Sequence, residues 1–266
     1  MKLTPSVLNL DFAETETNIT RFIKEYVSNS QTKGIVLGLS GGIDSATTAA
    51  LCSKAIGSQN VLALLLPENE TKKQEDIDDA KTIAKQFNIE TQIVDITTIL
   101  EDFYATIPVY DQKNNVCKGN IKARTRMIIL YYYANKLGRI VCGSSNKSET
   151  LMGYFTKWGD GAADMLPLRN LYKTQVRKLA STLGIPELIA LKPATPALWP
   201  NQSTEEELEI KYETLDLVLY GLEKLMTTKD IANQLNIEKS VVETVKNRLL
   251  NNVHKQRQPI TIKLDF

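Results

Sequence analysis

The chain of 266 residues is poor in the features that mark several protein classes. It has three cysteines, Cys52, Cys117 and Cys142, and none of them forms a CxxC pair, so a disulfide framework and a cysteine zinc site are both excluded. No apolar run approaches about 20 residues, and the first residues lack a signal-peptide pattern. We therefore expect the protein to be located in a reducing compartment, the cytoplasm. We do not expect it to span a membrane or to be secreted.

The sequence also lacks an excess of charge of either sign. Lys and Arg together number 32, Asp and Glu number 31, and the net charge is +1 with the single His neutral. No overall field therefore attracts nucleic acid or an anionic membrane, and neither is predicted as a partner. An anionic ligand must instead be bound by a local site.

The spacing of apolar residues predicts an α/β fold. Short apolar runs of strand length alternate with amphipathic segments of helical length after a first helix at 11–28. The predicted strands are 34–39, 61–66, 91–96 and 139–143, and the predicted helices between them are 45–56, 72–87 and 121–137. Because parallel strands buried on both faces form continuous apolar runs, this pattern indicates a doubly wound parallel sheet with helices on both faces. Ligands are expected at the carboxyl ends of its strands.

Strand patterns almost disappear from Thr204 onward. Helical patterns then cover 205–226, 229–235 and 239–251, which predicts a helical C-terminal part over about 204–256. The preceding α/β core spans about 34–200, and we interpret 1–266 as a single domain. The segment 192–200 contains three prolines and predicts an irregular loop able to close over a site.

The most informative motif is Leu39-Ser40-Gly41-Gly42-Ile43-Asp44-Ser45, which lies between a predicted strand and helix. Two adjacent glycines let backbone N–H groups face an anion, and the helix N-terminus adds positive partial charge. Asp44 fits beside phosphates if it holds Mg²⁺, which prefers oxygen ligands. The alternative is a plain Gly-Gly turn followed by a helix cap. The Walker A and GxGxxG patterns are both absent.

Ser40–Ser45 resembles the SGGxDS loop of the ATP pyrophosphatases, which cleave ATP between the α and β phosphates. Two further blocks, GNIKARTRM at 119–127 and the stretch from Gly143 to Asp164, resemble the signature blocks of ammonia-dependent NAD synthetase. The resemblance covers nearly the whole chain. It implies that ATP converts nicotinic acid adenine dinucleotide (deamido-NAD) to an acyl adenylate with release of pyrophosphate. Ammonia would then displace AMP to give NAD, and no protein nucleophile is required.

The resemblance also implies a role for each matching residue. ATP would be bound by Gly38, Leu39, Ser40, Gly41, Gly42, Ile43, Asp44, Ser45, Ser144, Lys173 and Thr195. Mg²⁺ would be held by Asp44 and Glu149. Deamido-NAD would be bound by Arg124, Lys157, Asp164, His254 and Lys255. Two residues are candidates for catalysis, Lys173 by stabilising charge on the phosphates and Asp160 by holding ammonia or ammonium. Ser144 stands where the family often has Thr and keeps the hydroxyl.

Each residue that the resemblance assigns to deamido-NAD binding also has an alternative explanation without a ligand. Arg124 and Lys157 could be solvated charges, Asp164 could cap a turn, and His254 could be a structural histidine at a helix end. Other functions are also open: another ATP pyrophosphatase with a different acceptor, a nucleotide sensor without turnover, or a DNA-binding helix-turn-helix at 228–249.

The family's homodimers, with a dinucleotide site at the subunit interface, imply the same assembly here. The apolar stripe of the first helix and the run Ile128–Tyr133 give modest support, although burial within one subunit explains both equally well. The SGGxDS loop begins about forty residues into the chain, which leaves no room for the glutaminase domain of glutamine-dependent members. Free ammonia is therefore the expected nitrogen donor, unless a separate glutaminase subunit delivers it.

Overall fold

A computed structural model describes residues 2–262, in which four parallel strands form one sheet. The strands are β1 (Ile35–Gly38), β2 (Val61–Leu65), β3 (Glu90–Ile93) and β4 (Ile140–Cys142). Their order is β3-β2-β1-β4, and Ile35 of β1 is in register with Val61 and Ile140. The strand order reverses at β1, so the doubly wound parallel sheet predicted from the sequence is confirmed. β3 is shorter than the predicted 91–96, and all four of its residues are exposed, whereas those of β4 at the other edge are buried.

Twelve α-helices occur within residues 2–262. They are α1 (Phe12–Asn29), α2 (Ile43–Ile56), α3 (Gln74–Gln86), α4 (Thr97–Thr106), α5 (Asn115–Leu137), α6 (Lys147–Met152), α7 (Lys173–Thr182), α8 (Glu187–Ala190), α9 (Thr204–Leu208), α10 (Tyr212–Glu223), α11 (Thr228–Leu235) and α12 (Lys239–Asn251). The sequence patterns did not predict α4, α7 or α8.

Helices cover both faces of the sheet, as predicted. Side chains alternate between the faces along a strand, so Ile35 and Leu37 of β1 point one way and Val36 points the other. Ile35 and Leu37 belong to the core formed with α1, α2, α3 and α7. Val36 belongs to the core formed with α4 and α5. This two-sided burial explains why the strands read as continuous apolar runs.

Two predicted helices have different bounds in the structure. The helix predicted at 121–137 begins at Asn115, because the side chain of Asn114 accepts a hydrogen bond from the Cys117 N–H and caps it. The helix predicted at 205–226 is wrong as a continuous element. Glu209 adopts a left-handed conformation (φ 55°) that ends α9, and α10 begins at Tyr212.

The helical C-terminal part is confirmed and forms a second core. Ile231 of α11 and Val242 and Val245 of α12 are buried in it against α10, which favours helix packing over a DNA-reading role for these two helices. α10 also packs on α6 and α7, so the second core adjoins the carboxyl edge of the sheet. No helix within 2–262 has the length and apolar character needed to cross a membrane.

Candidate active site

A cavity of about 510 Å³ opens at the carboxyl ends of β1, β2 and β4. Its walls come from the segments that follow these strands and from the irregular proline-rich loop at 192–199. The residues predicted to bind ATP, apart from Gly41, line this one cavity: Gly38, Leu39, Ser40, Gly42, Ile43, Asp44, Ser45, Ser144, Lys173 and Thr195. The sheet topology therefore brings together residues that are up to about 150 positions apart in sequence.

The loop between β1 and α2 is held in one conformation by its own side chains. The Ser45 hydroxyl accepts from the Ser40 N–H at 3.2 Å and donates to the Gly42 carbonyl at 2.9 Å. Gly41 has φ +82°, and a Cβ there would lie 2.3 Å from the carbonyl oxygen of Asp76. Only glycine fits this position, and the loop directs the N-terminus of α2 at the cavity.

Three charged side chains meet at the floor of the cavity. The Lys173 ammonium pairs with Asp44 and lies 3.5 Å from Oε1 of Glu149, while Asn146 donates to the other Asp44 oxygen at 3.1 Å. Lys173 is only 2% exposed. Burial alone would lower the pKa of Lys173, but the charges of Asp44 and Glu149 outweigh it and raise that pKa. Lys173 therefore stays protonated between two carboxylates.

Glu149 is the titratable member of this group. Burial raises its pKa to about 7; Lys173 opposes this shift, and the nearby charge of Asp44 adds to it. Its Oε1 accepts from the Tyr212 hydroxyl at 3.2 Å, and its backbone N–H donates to Asn146 at 3.0 Å. Within 2–262 no three His, Cys, Asp or Glu side chains are grouped so as to hold a metal ion. A cation here would have two protein carboxylates, Asp44 and Glu149, and would need further oxygens from a ligand or water.

Asp160 lies on another wall of the same cavity and is open to it. Its Oδ1 accepts from the Thr156 N–H at 2.9 Å. The walls of the cavity desolvate part of this otherwise exposed side chain, and this desolvation raises the pKa of Asp160. A carboxylate of raised basicity facing a cavity is suited to accepting a proton.

The residues predicted to bind deamido-NAD are mostly connected to one another. Arg124 donates to the Lys157 carbonyl at 3.2 Å, and the Lys157 ammonium donates to the His254 carbonyl at 3.0 Å. Lys157 and Lys255 line a second cavity of about 120 Å³, and Lys255 also lines the large one. The Asp164 side chain forms no hydrogen bond with these four residues, and its partners within 2–262 are Tyr131 and Val141. It accepts from the Val141 N–H of β4 at 2.7 Å and lines neither cavity.

Arg126 lines the large cavity and was not among the predicted site residues. Its Nε donates to the Leu66 carbonyl at 3.1 Å, and it forms no ion pair with any residue that the structure describes. The nearby carboxylate of Glu68 is instead paired with Lys122 at 2.8 Å. Ala123, Arg126 and Leu130 line the cavity at helical spacing along α5, so this spacing was the signal that could have placed Arg126 at the site.

Comparison with known proteins gives consistent matches over the whole fold. The NAD synthase family model matches residues 15–259. The NH(3)-dependent NAD(+) synthetase of Pyrococcus furiosus is 44% identical over 257 residues, which is 96% of either chain. The one from Methanocaldococcus jannaschii is 46% identical over 249 residues, 93% of this chain and 96% of that protein.

Two solved structures have the same fold over nearly the full length. The NH3-dependent NAD synthetase of Campylobacter jejuni, in complex with nitrate, is 33% identical with a TM-score of 0.79. NMN synthetase from Francisella tularensis is also 33% identical, with a TM-score of 0.84. Each covers 96% of this chain and 100% of its own. On these matches of sequence and fold, the chain belongs to the NAD synthase family.

Proposed function

We propose that the protein is a ligase that uses ATP and ammonia to amidate deamido-NAD to NAD, the last step of NAD synthesis. In the first step a carboxylate oxygen of the nicotinate attacks the α phosphorus of ATP, and pyrophosphate leaves. In the second step ammonia attacks the carbonyl carbon of the adenylate, AMP leaves, and a C–N bond forms. The observation that carries the proposal is the meeting of the β1–α2 loop with Asp44, Glu149 and Lys173 in one cavity.

The β1–α2 loop and Lys173 bind the phosphates of ATP in this proposal. Backbone N–H groups of Gly38–Ser45 and the N-terminus of α2 supply partial positive charge, and Lys173 supplies a full charge. The hydroxyls of Ser144 and Thr195 contact ATP from the loop after β4 and the proline-rich loop. Because the Ser45 hydroxyl holds the β1–α2 loop in one conformation, the N–H groups of this loop are positioned to stabilise the charge that builds up as pyrophosphate leaves.

Asp44 and Glu149 are the residues that would hold Mg²⁺. They fit the ion because two carboxylates from neighbouring strand ends already share one cationic group, the Lys173 ammonium. The ion would neutralise phosphate charge and make pyrophosphate a better leaving group. Glu149 must lose its proton to bind the ion, whereas Lys173 keeps its positive charge close to the phosphates.

Deamido-NAD is bound in this proposal by Arg124, Lys157, Asp164, His254 and Lys255. Arg124, Asp164 and His254 are exposed on the single subunit. Large apolar side chains are exposed on α1 and α5: Phe22, Tyr26, Ile128 and Tyr132. We therefore propose a homodimer in which a second copy covers these faces and completes the dinucleotide site. A solution mass of one 29.8 kDa chain at micromolar concentration would contradict this assembly.

Asp160 holds ammonia near the adenylate in this account and takes the proton that the nitrogen loses. Its raised pKa makes the carboxylate a stronger base than an ordinary aspartate. Cys52, Cys117 and Cys142 are free thiols, which agrees with a reducing, cytoplasmic location.

The proposed function is tested by following pyrophosphate and NAD together. The purified protein is given MgATP and ammonium, with and without deamido-NAD, and with glutamine in place of ammonium. We expect both products in equal amounts, only with deamido-NAD, and far less with glutamine. The acid form of the mononucleotide is included because one structural relative is an NMN synthetase. Faster amide formation from the mononucleotide would overturn the proposed acceptor, and equal use of glutamine would overturn the proposed nitrogen donor.

A further inference from the structure

Helix α10 of the C-terminal part sends three polar side chains to the N-termini of α6 and α7. Tyr212 donates to Glu149 at 3.2 Å, as described above. Glu223, near the other end of α10, accepts from Lys147 at 2.7 Å and from the Tyr172 hydroxyl. Between them lies Asp216, whose side chain is completely buried.

The Asp216 carboxylate joins the two short helices directly. One oxygen accepts from the Ser148 hydroxyl on α6, and the other accepts from the Thr174 N–H on α7 at 2.9 Å. The Ser148 oxygen accepts in turn from the Lys173 N–H at 2.9 Å. Asp216 and Ser148 therefore satisfy the first two backbone donors of α7, and a negative charge stabilises that helix N-terminus.

The residues held in this way adjoin two residues of the site. Ser148 precedes Glu149 on α6, and Thr174 follows Lys173 on α7. Glu149 and Lys173 belong to helices separated by a connection of 20 residues, 153–172, yet their charged ends lie only 3.5 Å apart. A shared acceptor between the two backbones fixes the separation from which these side chains extend.

We propose that Asp216 is a positioning residue that sets the relative placement of Glu149 and Lys173 for the adenylation step. This inference deepens the proposed function and rests on it. Asp216 touches neither ATP nor the reacting atoms; it acts through Ser148 and Thr174. Displacing a site residue by about 1 Å costs on the order of a hundred-fold in rate, so loss of the shared acceptor affects ATP use more than binding of the dinucleotide.

The test compares Asp216→Ala, Asp216→Asn and Ser148→Ala with a control, Val242→Ala, which creates a cavity in the same C-terminal core but removes no hydrogen bond of Asp216 or Ser148. Asp216→Asn keeps the shape and one acceptor oxygen for Thr174. Three quantities are measured for each: the thermal unfolding midpoint, the Kd of a non-hydrolysable ATP analogue by calorimetry, and kcat and KM for NAD formation.

We expect Asp216→Ala to weaken analogue binding and to lower kcat by about ten-fold to a hundred-fold, as outer-shell partners commonly do, with KM for deamido-NAD unchanged. Asp216→Asn should recover most of this loss, Ser148→Ala should show a smaller loss, and Val242→Ala should lower only the unfolding midpoint. Either wild-type analogue binding or a wild-type kcat in Asp216→Ala would overturn the proposal, as would an equal kcat loss in Val242→Ala.

If Asp216→Ala does not fold, the proposal is tested with Ser148→Ala, because this variant removes only the hydroxyl that links Asp216 to the Lys173 N–H. Unchanged kcat and analogue binding in a folded Ser148→Ala would then overturn the proposal. The analogue titration separates this inference from the proposed function. A wild-type protein that binds the analogue but makes no NAD overturns the proposed acceptor, whereas equal analogue binding in wild type and Asp216→Ala overturns the role of Asp216.

Discussion

The Lys173 ammonium pairs with the Asp44 carboxylate although 129 residues separate them in the chain. Lys173 begins α7 and Asp44 lies in the first turn of α2, so the pair closes the floor of the cavity from two sides. A buried charge needs a partner, and here the partner is also a candidate ligand for Mg²⁺. These two side chains and Glu149 thus balance one another's charge, and in the proposed function the same three groups form the phosphate and metal site.

Replacing Lys173 by Met leaves Asp44 and Glu149 facing each other without a cation. We expect pyrophosphate release to fall by about a hundred-fold to a thousand-fold, as it does when a charge-stabilising group is removed from other active sites. The unfolding midpoint in metal-free buffer should fall as well and recover with Mg²⁺. The control is Lys54→Met, which breaks the exposed Lys54–Glu16 pair. Wild-type rates in Lys173→Met would contradict the phosphate role.

The pH dependence follows from Glu149, whose pKa is raised to about 7. Mg²⁺ requires the ionised carboxylate, so at limiting Mg²⁺ the rate of NAD formation should rise with pH through about 7, and excess Mg²⁺ should move this rise to lower pH. Glu149→Gln should remove the rise and raise the Mg²⁺ concentration needed for half-maximal rate. Glu101→Gln, on the exposed side of α4, is the control.

The stability of the folded protein should depend on Glu149 as well, but it should fall with rising pH where the rate of NAD formation rises. A carboxyl with a raised pKa holds its proton in the folded protein where the unfolded chain has already lost it. Stability from Glu149 is therefore complete below about pH 4.5 and is lost as pH rises through about 7. Unfolding midpoints measured without metal across this range should fall more in wild type than in Glu149→Gln. Equal slopes would contradict a raised pKa at Glu149.

The substitution Arg126→Met should weaken substrate binding without lowering the stability of the fold. The Arg126 guanidinium faces the cavity and forms no ion pair with residues 2–262, so removing its charge should leave the unfolding midpoint equal or higher. The KM for an anionic substrate should nevertheless rise by about ten-fold or more, the cost of roughly one charge-assisted hydrogen bond. Lys85→Met, exposed on α3, is the matched control. An unchanged KM for both ATP and deamido-NAD would show that Arg126 binds neither.

Gly41→Ala tests the conformation of the β1–α2 loop. An alanine at φ +82° is strained, and its Cβ would lie 2.3 Å from the Asp76 carbonyl oxygen. We expect a loss of stability of about 1–3 kcal/mol or more, measured by denaturant unfolding. Gly42→Ala is the matched comparison, since Gly42 has φ −90° and its Cβ would meet only the Ser40 hydroxyl at 3.5 Å. Equal stability of the two variants would contradict this account of the loop.

The parts of the molecule that were predictable from the sequence are those encoded by neighbouring residues. The SGGxDS run determines a loop through its own hydrogen bonds, and the buried strands are visible as apolar runs. The order of these elements along the chain then fixed the doubly wound sheet, because crossovers are right-handed. The placement of Ser144, Glu149 and Lys173 near this loop rested on the resemblance and was never derived from spacing.

Contacts between distant segments explain what the sequence did not reveal. In the sequence, Tyr212 has the pattern of a residue on the apolar face of a C-terminal helix, and Asp216 has that of a polar position. Their partners, Glu149 and Ser148, lie 63 and 68 residues earlier in the chain. The break between α9 and α10 depends on a left-handed Glu209, a residue type that gives no turn signal. β3 is exposed on both faces, so its sequence has only a weak apolar pattern, and that pattern did not show where the strand begins and ends.

The central claim is that ATP activates the substrate carboxylate as an acyl adenylate. It is tested most directly with deamido-NAD whose nicotinate carboxylate carries oxygen-18, MgATP and ammonium, followed by mass spectrometry of the products. The carboxylate oxygen that attacks the α phosphorus leaves with AMP, so the account predicts one labelled oxygen in AMP and none in pyrophosphate. Label in pyrophosphate or in inorganic phosphate, or NAD formed with unlabelled AMP, would contradict it.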